Sequence, residues 1–414
     1  MSTIVMKFGG TSVASEERLR LVARKIVDTK REGHDVVAVV SAMGNTTSEL
    51  LDLATNLAPT PPRRELDMLL SAGERISMSL LSMAIQEMGE KSISLTGPQS
   101  GIHTTDTHFN ARIKDVRPDR VAREIGRGKI VIVAGYQGVN SRGEVTTLGR
   151  GGSDTTAVAI AAALDASRCE ICSDVDGVFS SDPRVVEEAA RIDEMNHEEM
   201  LELARHGASV LNPRAVEYAW KRDLDVRARS TFDDGQGTMI TRDANQHETS
   251  VTGIAGQKEL ARINTANDDE SCKLVDKLLG DADPFLVAEH EDGRRDLYVP
   301  TEEIADIKSL GRELEDGLDD SVRVETGLAS VSAVGLNIGS DTDIRSEVEQ
   351  VLTDNDINIG RTFCSSHAVA TILPKDERVK AMQVLHAHFL EPVPSPGSKE
   401  VDDSAERNAD RKVA

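Results

Sequence analysis

Between residues 3 and 173, short apolar runs rich in β-branched residues alternate with stretches of helical periodicity, and that order admits few folds. The runs are TIVMKF (3–8), DVVAVVS (35–41), KSISLT (91–96), KIVIVAGY (129–136) and RCEICS (168–173). Between the first two, SEERLRLVARKIVDTK (15–30) places Leu19, Val22, Ile26 and Val27 on one helical face, with Ser15 positioned to cap it. Helical patterning also spans Arg63 to about Met88, and SDTTAVAIAAALDA (153–166). Strand and helix in alternation predict an α/β fold, a mainly parallel sheet sandwiched by helices. Ligands of such sheets sit at the carboxyl ends of the strands.

The pattern changes near STFDDGQGT (230–238). Beyond it come SVTGIAG (250–256), a very acidic stretch around 283–320, ASVSAVGLNIG (329–339), a helix at 342–354, INIGRTFCSSHAVATILP (357–374) and a helix at 376–389. That order predicts a ferredoxin-like α+β region over 246–392, after a first domain over 1–235. Residues 393–414, rich in Pro, Ser and charge, predict a disordered tail.

A net charge of −23 argues against nucleic acid or an anionic membrane as partner, because both need a positive surface. Acid spread over the whole chain suits a halophilic cytoplasm, where a Debye length of about 3 Å at 1 M salt screens it. No run approaches the ~18 apolar residues of a membrane span, and the N-terminus lacks the pattern of a signal peptide. Four cysteines in 414 residues fit a reducing, cytoplasmic compartment. Cys169 and Cys172 form a lone CxxC on an apolar run, with no second ligand pair for zinc nearby.

Four polar clusters fall where a strand ends or a helix begins. They are Lys7 with Gly9 and Gly10, SAMGNTTSE (41–49), GRGGSDTTA (149–157) and SDVDGVFSSDPR (173–184). Free N–H groups at a helix start bind anions, so two glycine-rich turns and a lysine suggest phosphate chemistry. Each cluster alone reads equally well as a tight structural turn.

With SAGE (71–74), the blocks KFGGTSV, VVSAMGNTTSELL, GRGGSDTTA and SDVDGVFSSDPRV, in this order, resemble the signature of aspartokinases, a branch of the amino-acid kinase fold. The resemblance covers about the first 235 residues. It implies transfer of the ATP γ-phosphate to the β-carboxylate of L-aspartate, with Mg²⁺, as the first step of lysine, threonine and methionine biosynthesis. By the same resemblance Lys7 and Asp154 are the catalytic pair, and Thr47, Glu74, Arg150 and Ser153 hold L-aspartate. Arg150 would take the α-carboxylate and Glu74 the α-ammonium. Lys7, Gly9, Gly10, Ser41, Ser173, Asp174, Phe179 and Arg184 would face the nucleotide, and no protein cage for the metal is implied. The rival readings are a sister kinase with another acceptor and a non-catalytic amino-acid sensor.

The second half resembles the paired ACT modules of that family, which implies a homodimer. The segment from Ser271 to Asp320 matches the ACT pattern poorly, and the turn GSDTDIR (339–345) departs from relatives that carry a glycine there, so weak or absent inhibition by lysine and threonine is expected. Relatives often carry a phosphate-facing lysine at the position that aligns with Ser209. Either that contact has drifted away here, or Arg214 supplies the charge.

Overall fold

The computed structural model describes residues 2–244, 251–280, 282–304, 307–318 and 322–391. In chain order the first part opens with β1 (Thr3–Phe8), α1 (Glu16–Arg31), β2 (Asp35–Val40), α2 (Thr46–Leu57), α3 (Arg63–Leu70), α4 (Ala72–Glu87) and β3 (Ser92–Leu95). It continues through β4 (Ile102–Thr104), β5 (Ile113–Val116), α5 (Asp119–Ile125), β6 (Ile130–Ala134), β7 (Gln137–Val139) and β8 (Val145–Thr147). Then follow α6 (Gly152–Ala163), β9 (Arg168–Ser173), β10 (Val178–Phe179), β11 (Arg191–Ile192) and β12 (Glu194–Asn196). Helices α7 (His197–Arg205) and α8 (Pro213–Arg222) and strands β13 (Val226–Ser230) and β14 (Thr238–Thr241) close it.

Eight of these strands form one sheet in the order β12-β14-β13-β9-β1-β2-β6-β3. Every neighbouring pair is parallel except β13 with β14. Period-two alternation divides each strand between two cores. Ile4, Met6 and Phe8, with Val36, Ala38 and Val40, pack on α1 and α4 through Leu19, Val22, Ile26, Leu81 and Ile85. Val5, Val37 and Val39 face the other way, onto Ala157, Val158, Ile160 and Ala161 of α6. Lys7 shares the side of Val5, so the strand itself aims it at α6. Cys169 and Cys172 fall in opposite cores, three residues apart on β9, and cannot converge on one ion.

One expectation needs correction here. The helix expected from Arg63 to Met88 is two helices, α3 and α4, broken at Ser71, whose carbonyl accepts from the buried Gln137 side chain at 3.0 Å. By length and composition Arg63–Glu87 passes as a membrane span, yet half of it is buried inside the protein. The first sheet also runs past residue 235, because β14 at Thr238–Thr241 bridges β13 and β12. A second sheet, β5-β4-β7-β8, went unread because its strands are only three or four residues long.

The second part contains β15 (Gly253–Ala255), β16 (Leu260–Ala266), α9 (Asp269–Leu279), β17 (Leu286–Glu289), β18 (Arg294–Pro300) and α10 (Ile307–Leu318). After these come β19 (Arg323–Val334), α11 (Thr342–Asp354), β20 (Thr362–Cys364), β21 (Ala368–Pro374) and α12 (Arg378–Phe389). The strands make one sheet, β17-β18-β16-β19-β21-β20, with β15 also on β19. Two ferredoxin-like units share β19. The first runs from β16 to the start of β19. The second takes the end of β19, α11, β20, β21 and α12, and borrows its fourth strand, β15, from before the first unit.

The poor match from Ser271 to Asp320 is thereby corrected, since its described residues build α9, β17, β18 and α10 of a full unit. Leu310 and Leu314 of α10 are buried with Val275, Leu297 and Val299, while the helix's acids point outward. The tail at 393–414 lies outside the described residues. The two parts are joined by buried polar contacts. Ser180 Oγ meets His386 Nε2 at 2.9 Å, and His206 Nδ1 meets Ser332 Oγ at 2.7 Å.

Candidate active site

The carboxyl ends of β1, β2, β6 and β9 open beside the N-termini of α2, α4 and α6. Helices α1, α7 and α8 are capped by the side chains of Ser15, Asn196 and Asn212. In contrast, α2 and α6 begin at Asn45 and Gly151 with no side-chain cap. Thr46 N of α2 and Gly152 N and Asp154 N of α6 already donate to backbone carbonyls, so these starts offer an anion their remaining N–H groups and the helix dipoles. These are the helices whose starts carry Thr47, and Ser153 with Asp154.

Lys7 Nζ lies 2.7 Å from Asp154 Oδ1, with both side chains nearly buried. This pair links the end of the central strand to the start of α6. A Cβ on Gly9 would sit 3.5 Å from Lys7 Nζ, so glycine keeps the approach to the ammonium open. Gly10 is wedged against the second strand end: an added Cβ would stand 3.0 Å from Ala42 O and 3.1 Å from Gly44 O. Backbone hydrogen bonds lock the two turns together, from Ser41 N to Phe8 O at 3.1 Å and from Gly44 N to Gly10 O at 3.0 Å.

Glu74 occupies the first turn of α4 and is only 3% exposed. Ala42 N–H donates to its Oε1 at 3.1 Å, while Oε2 is buried with no hydrogen-bond partner. Burial pushes its carboxyl up to about 7, against the pull of backbone N–H groups. A carboxylate so placed is a receptor for a cation. Ser153 Oγ would be 2.7 Å from a Cβ on Gly135, so only glycine at the end of β6 lets α6 start this close. Lys7, Gly9, Gly10, Ser41, Thr47, Glu74, Ser153 and Asp154 therefore gather at one end of the sheet.

The family model of the amino acid kinase family matches residues 2–229. The chain is 42% identical to the aspartokinase of Corynebacterium glutamicum, over 94% of this chain and 96% of that protein. It is 40% identical to that of Bacillus sp. (strain MGA3), over 94% of this chain and 97% of that protein. Among solved structures, E. coli aspartokinase III in complex with aspartate and ADP superposes with a TM-score of 0.79 at 26% identity, covering 94% of this chain and all of that one. The chain belongs to the aspartokinases.

The remaining aspartokinase positions sit less simply. Arg150 is 74% exposed on the turn before α6, and its nearest carboxylate is Glu302 of the second part, 3.7 Å away. Ser173, at the end of β9, closes a local turn by accepting from Val175 N at 3.1 Å. Asp174 beside it is exposed, and Phe179 on β10 is half-buried. Arg184 grips Asp182 through two hydrogen bonds of 2.9 Å, which with that acid's charge raise its pKa. In this state it is held to Asp182, not free for a phosphate.

Ser209 is exposed, and Arg214 donates to Asn110 Oδ1 at 2.7 Å and faces Asp283 at 3.4 Å. Those contacts commit Arg214 elsewhere and favour drift at Ser209. Sequence reasoning also passed over Tyr136, which holds a left-handed φ of 67° directly after Gly135. Burial pushes its hydroxyl up to about 12, against a hydrogen bond with Thr147, and the charges of Glu74 and Asp67 raise it further. A bulky residue at positive φ is uncommon, and only the backbone reveals it.

Proposed function

We propose that this chain transfers the γ-phosphate of ATP to the β-carboxylate of L-aspartate, giving 4-phospho-L-aspartate. The observation that carries this reading is Glu74: a buried carboxylate with one unpartnered oxygen, at the same end of the sheet as the Lys7–Asp154 pair, suits the α-ammonium of a free amino acid. The matched E. coli enzyme, captured with aspartate and ADP, supports the same two ligands here.

The acceptor needs no general base, because a β-carboxylate of pKa about 4 is already ionised at neutral pH. Catalysis then depends on alignment and on neutralising the charge that spreads over the transferred group. Lys7 supplies a positive charge on the face of α6, Asp154 fixes where that charge stands, and the N-termini of α2 and α6 add their dipoles and the N–H groups not already bonded to backbone carbonyls. Ser41, Gly9 and Gly10 form the phosphate side. Thr47, Ser153, Glu74 and Arg150 form the amino-acid side. Ser173, Asp174, Phe179 and Arg184 border the nucleotide.

Among the described residues no three His, Cys, Asp or Glu side chains cluster as a metal cage. Mg²⁺ would be held by the ATP phosphates, with Asp154 at the start of α6 as a carboxylate available to it. When bound it neutralises phosphate charge.

The wider reading is a cytoplasmic homodimer, paired through the ACT-like sheet, that opens lysine, threonine and methionine biosynthesis in a salt-loving cell. The edge strands β17 and β20 and the net charge of −23 support it. One assay tests substrate and regulation together: purified protein with ATP, Mg²⁺ and hydroxylamine in molar KCl, against a panel of amino acids. Hydroxamate should form from L-aspartate and hardly at all from L-glutamate, since a positioning error near 1 Å costs about 100-fold. Lysine and threonine at millimolar levels should inhibit weakly. Equal turnover of aspartate and glutamate would defeat the assignment.

A further inference from the structure

Arg150 poses a positioning problem. Its guanidinium is 74% exposed, and the carboxylate nearest to it stands 3.7 Å away on an equally mobile kind of side chain, Glu302. A long side chain without a tight partner is aimed mainly by its own backbone. That backbone is the tight turn Gly149–Gly152, with left-handed φ values of 74° at Gly149 and 66° at Gly151.

The turn is gripped from the start of α8. Asn212 Nδ2 donates to the carbonyl of Arg150 at 3.0 Å. The other end of the same carboxamide caps α8, Oδ1 accepting from Arg214 N at 3.0 Å. Both ends are used, so the amide cannot rotate without losing a bond. Packing leaves no slack either. A Cβ on Gly151 would lie 2.3 Å from Asn212 Nδ2 and 2.5 Å from its Cβ, which puts the turn in contact with this side chain.

We infer that Asn212 is a positioning residue for L-aspartate: its bond to the Arg150 carbonyl sets where the guanidinium meets the α-carboxylate. This rests on the reading of Arg150 as the α-carboxylate ligand. The role is separable from helix capping. Serine is as good an N-cap as asparagine but is too short to carry the second bond.

The test is a double-mutant cycle on the full chain, reading KM for L-aspartate, KM for ATP and Tm for Asn212→Ser, Arg150→Ala and the double variant. Asn212→Ser should raise KM for aspartate roughly tenfold, a fraction of the 100-fold that a 1 Å misplacement can cost, with Tm and KM for ATP unchanged. In the double variant the Asn212 effect should vanish, because it acts through a side chain no longer present. If Arg150→Ala leaves KM for aspartate unchanged, the reading of Arg150 falls and takes this inference with it. If Arg150→Ala raises KM but Asn212→Ser does not, or the two effects multiply, Arg150 stands and the positioning role of Asn212 is refuted. Equal losses in both KM values with a lowered Tm would show a structural cap and nothing more.

Discussion

Replacing Lys7 with methionine should lower kcat by about 10³-fold, the scale of losing one preorganised charge at a transition state, while KM for ATP changes little. Methionine keeps the length and the apolar stem of the side chain, so β1 stays packed between its two cores. What is lost is the ammonium 2.7 Å from Asp154, at the end of the sheet where four strand ends meet the N-termini of α2, α4 and α6. The ground-state phosphates retain the N–H groups of the glycine turns, so binding survives. During transfer the charge is redistributed over the equatorial oxygens and the leaving oxygen, and there the lysine has no substitute. Single-turnover and steady-state kinetics separate the two effects. An unchanged kcat with a raised KM would make Lys7 an ordinary phosphate contact.

Glu74→Gln should raise KM for L-aspartate about 100-fold, since breaking a buried charge pair costs roughly 2–5 kcal/mol and each 1.4 kcal/mol is tenfold. Glutamine has the same shape and can still accept from Ala42 N, so the start of α4 is preserved. The wild-type protein should also show a pH signature. Glu74 titrates near 7 when its pocket holds no cation, so below that pH the ammonium must meet a neutral acid. KM for aspartate then rises by up to about tenfold for each unit of pH below 7 and levels off above it. Glu74→Gln should flatten that profile as well as lift it. A wild-type profile without an inflection near neutrality, or a variant that keeps one, would move the ammonium site elsewhere.

Much of this was legible in the residues themselves. The runs at 3–8 and 168–173 and the helix at 342–354 sit where their apolar periodicity places them, because each is long enough to show its period. The glycine turns were legible for a physical reason. At Gly10 and Ala42 an added Cβ would force the neighbour to shift, and at Gly135 and Ser153 it would clash, so the glycines mark the close approach. The small sheet β5-β4-β7-β8 was hidden by brevity. The first ferredoxin-like unit was hidden by acid, since α10 fully buries Leu310 and Leu314 while its acids Glu313, Glu315 and Asp316 dominate the exposed face.

Side-chain commitments were the least visible. The ion pair of Arg184 with Asp182 is two residues long and could have been suspected. The contacts of Arg214 with Asn110 and Asp283 span 104 and 69 residues, and no local pattern encodes them. Asn212 belongs to the same class: in sequence it is an ordinary N-cap before a proline, and only the fold brings its other end to Arg150.

A crystal structure with L-aspartate, Mg²⁺ and a non-hydrolysable ATP analogue tests the account most directly. The expected result is an α-ammonium within hydrogen-bond distance of Glu74 Oε2, an α-carboxylate on Arg150, and a β-carboxylate facing the γ-phosphate beside Lys7. Aspartate bound away from Glu74, or with its β-carboxylate turned from Lys7, would contradict it.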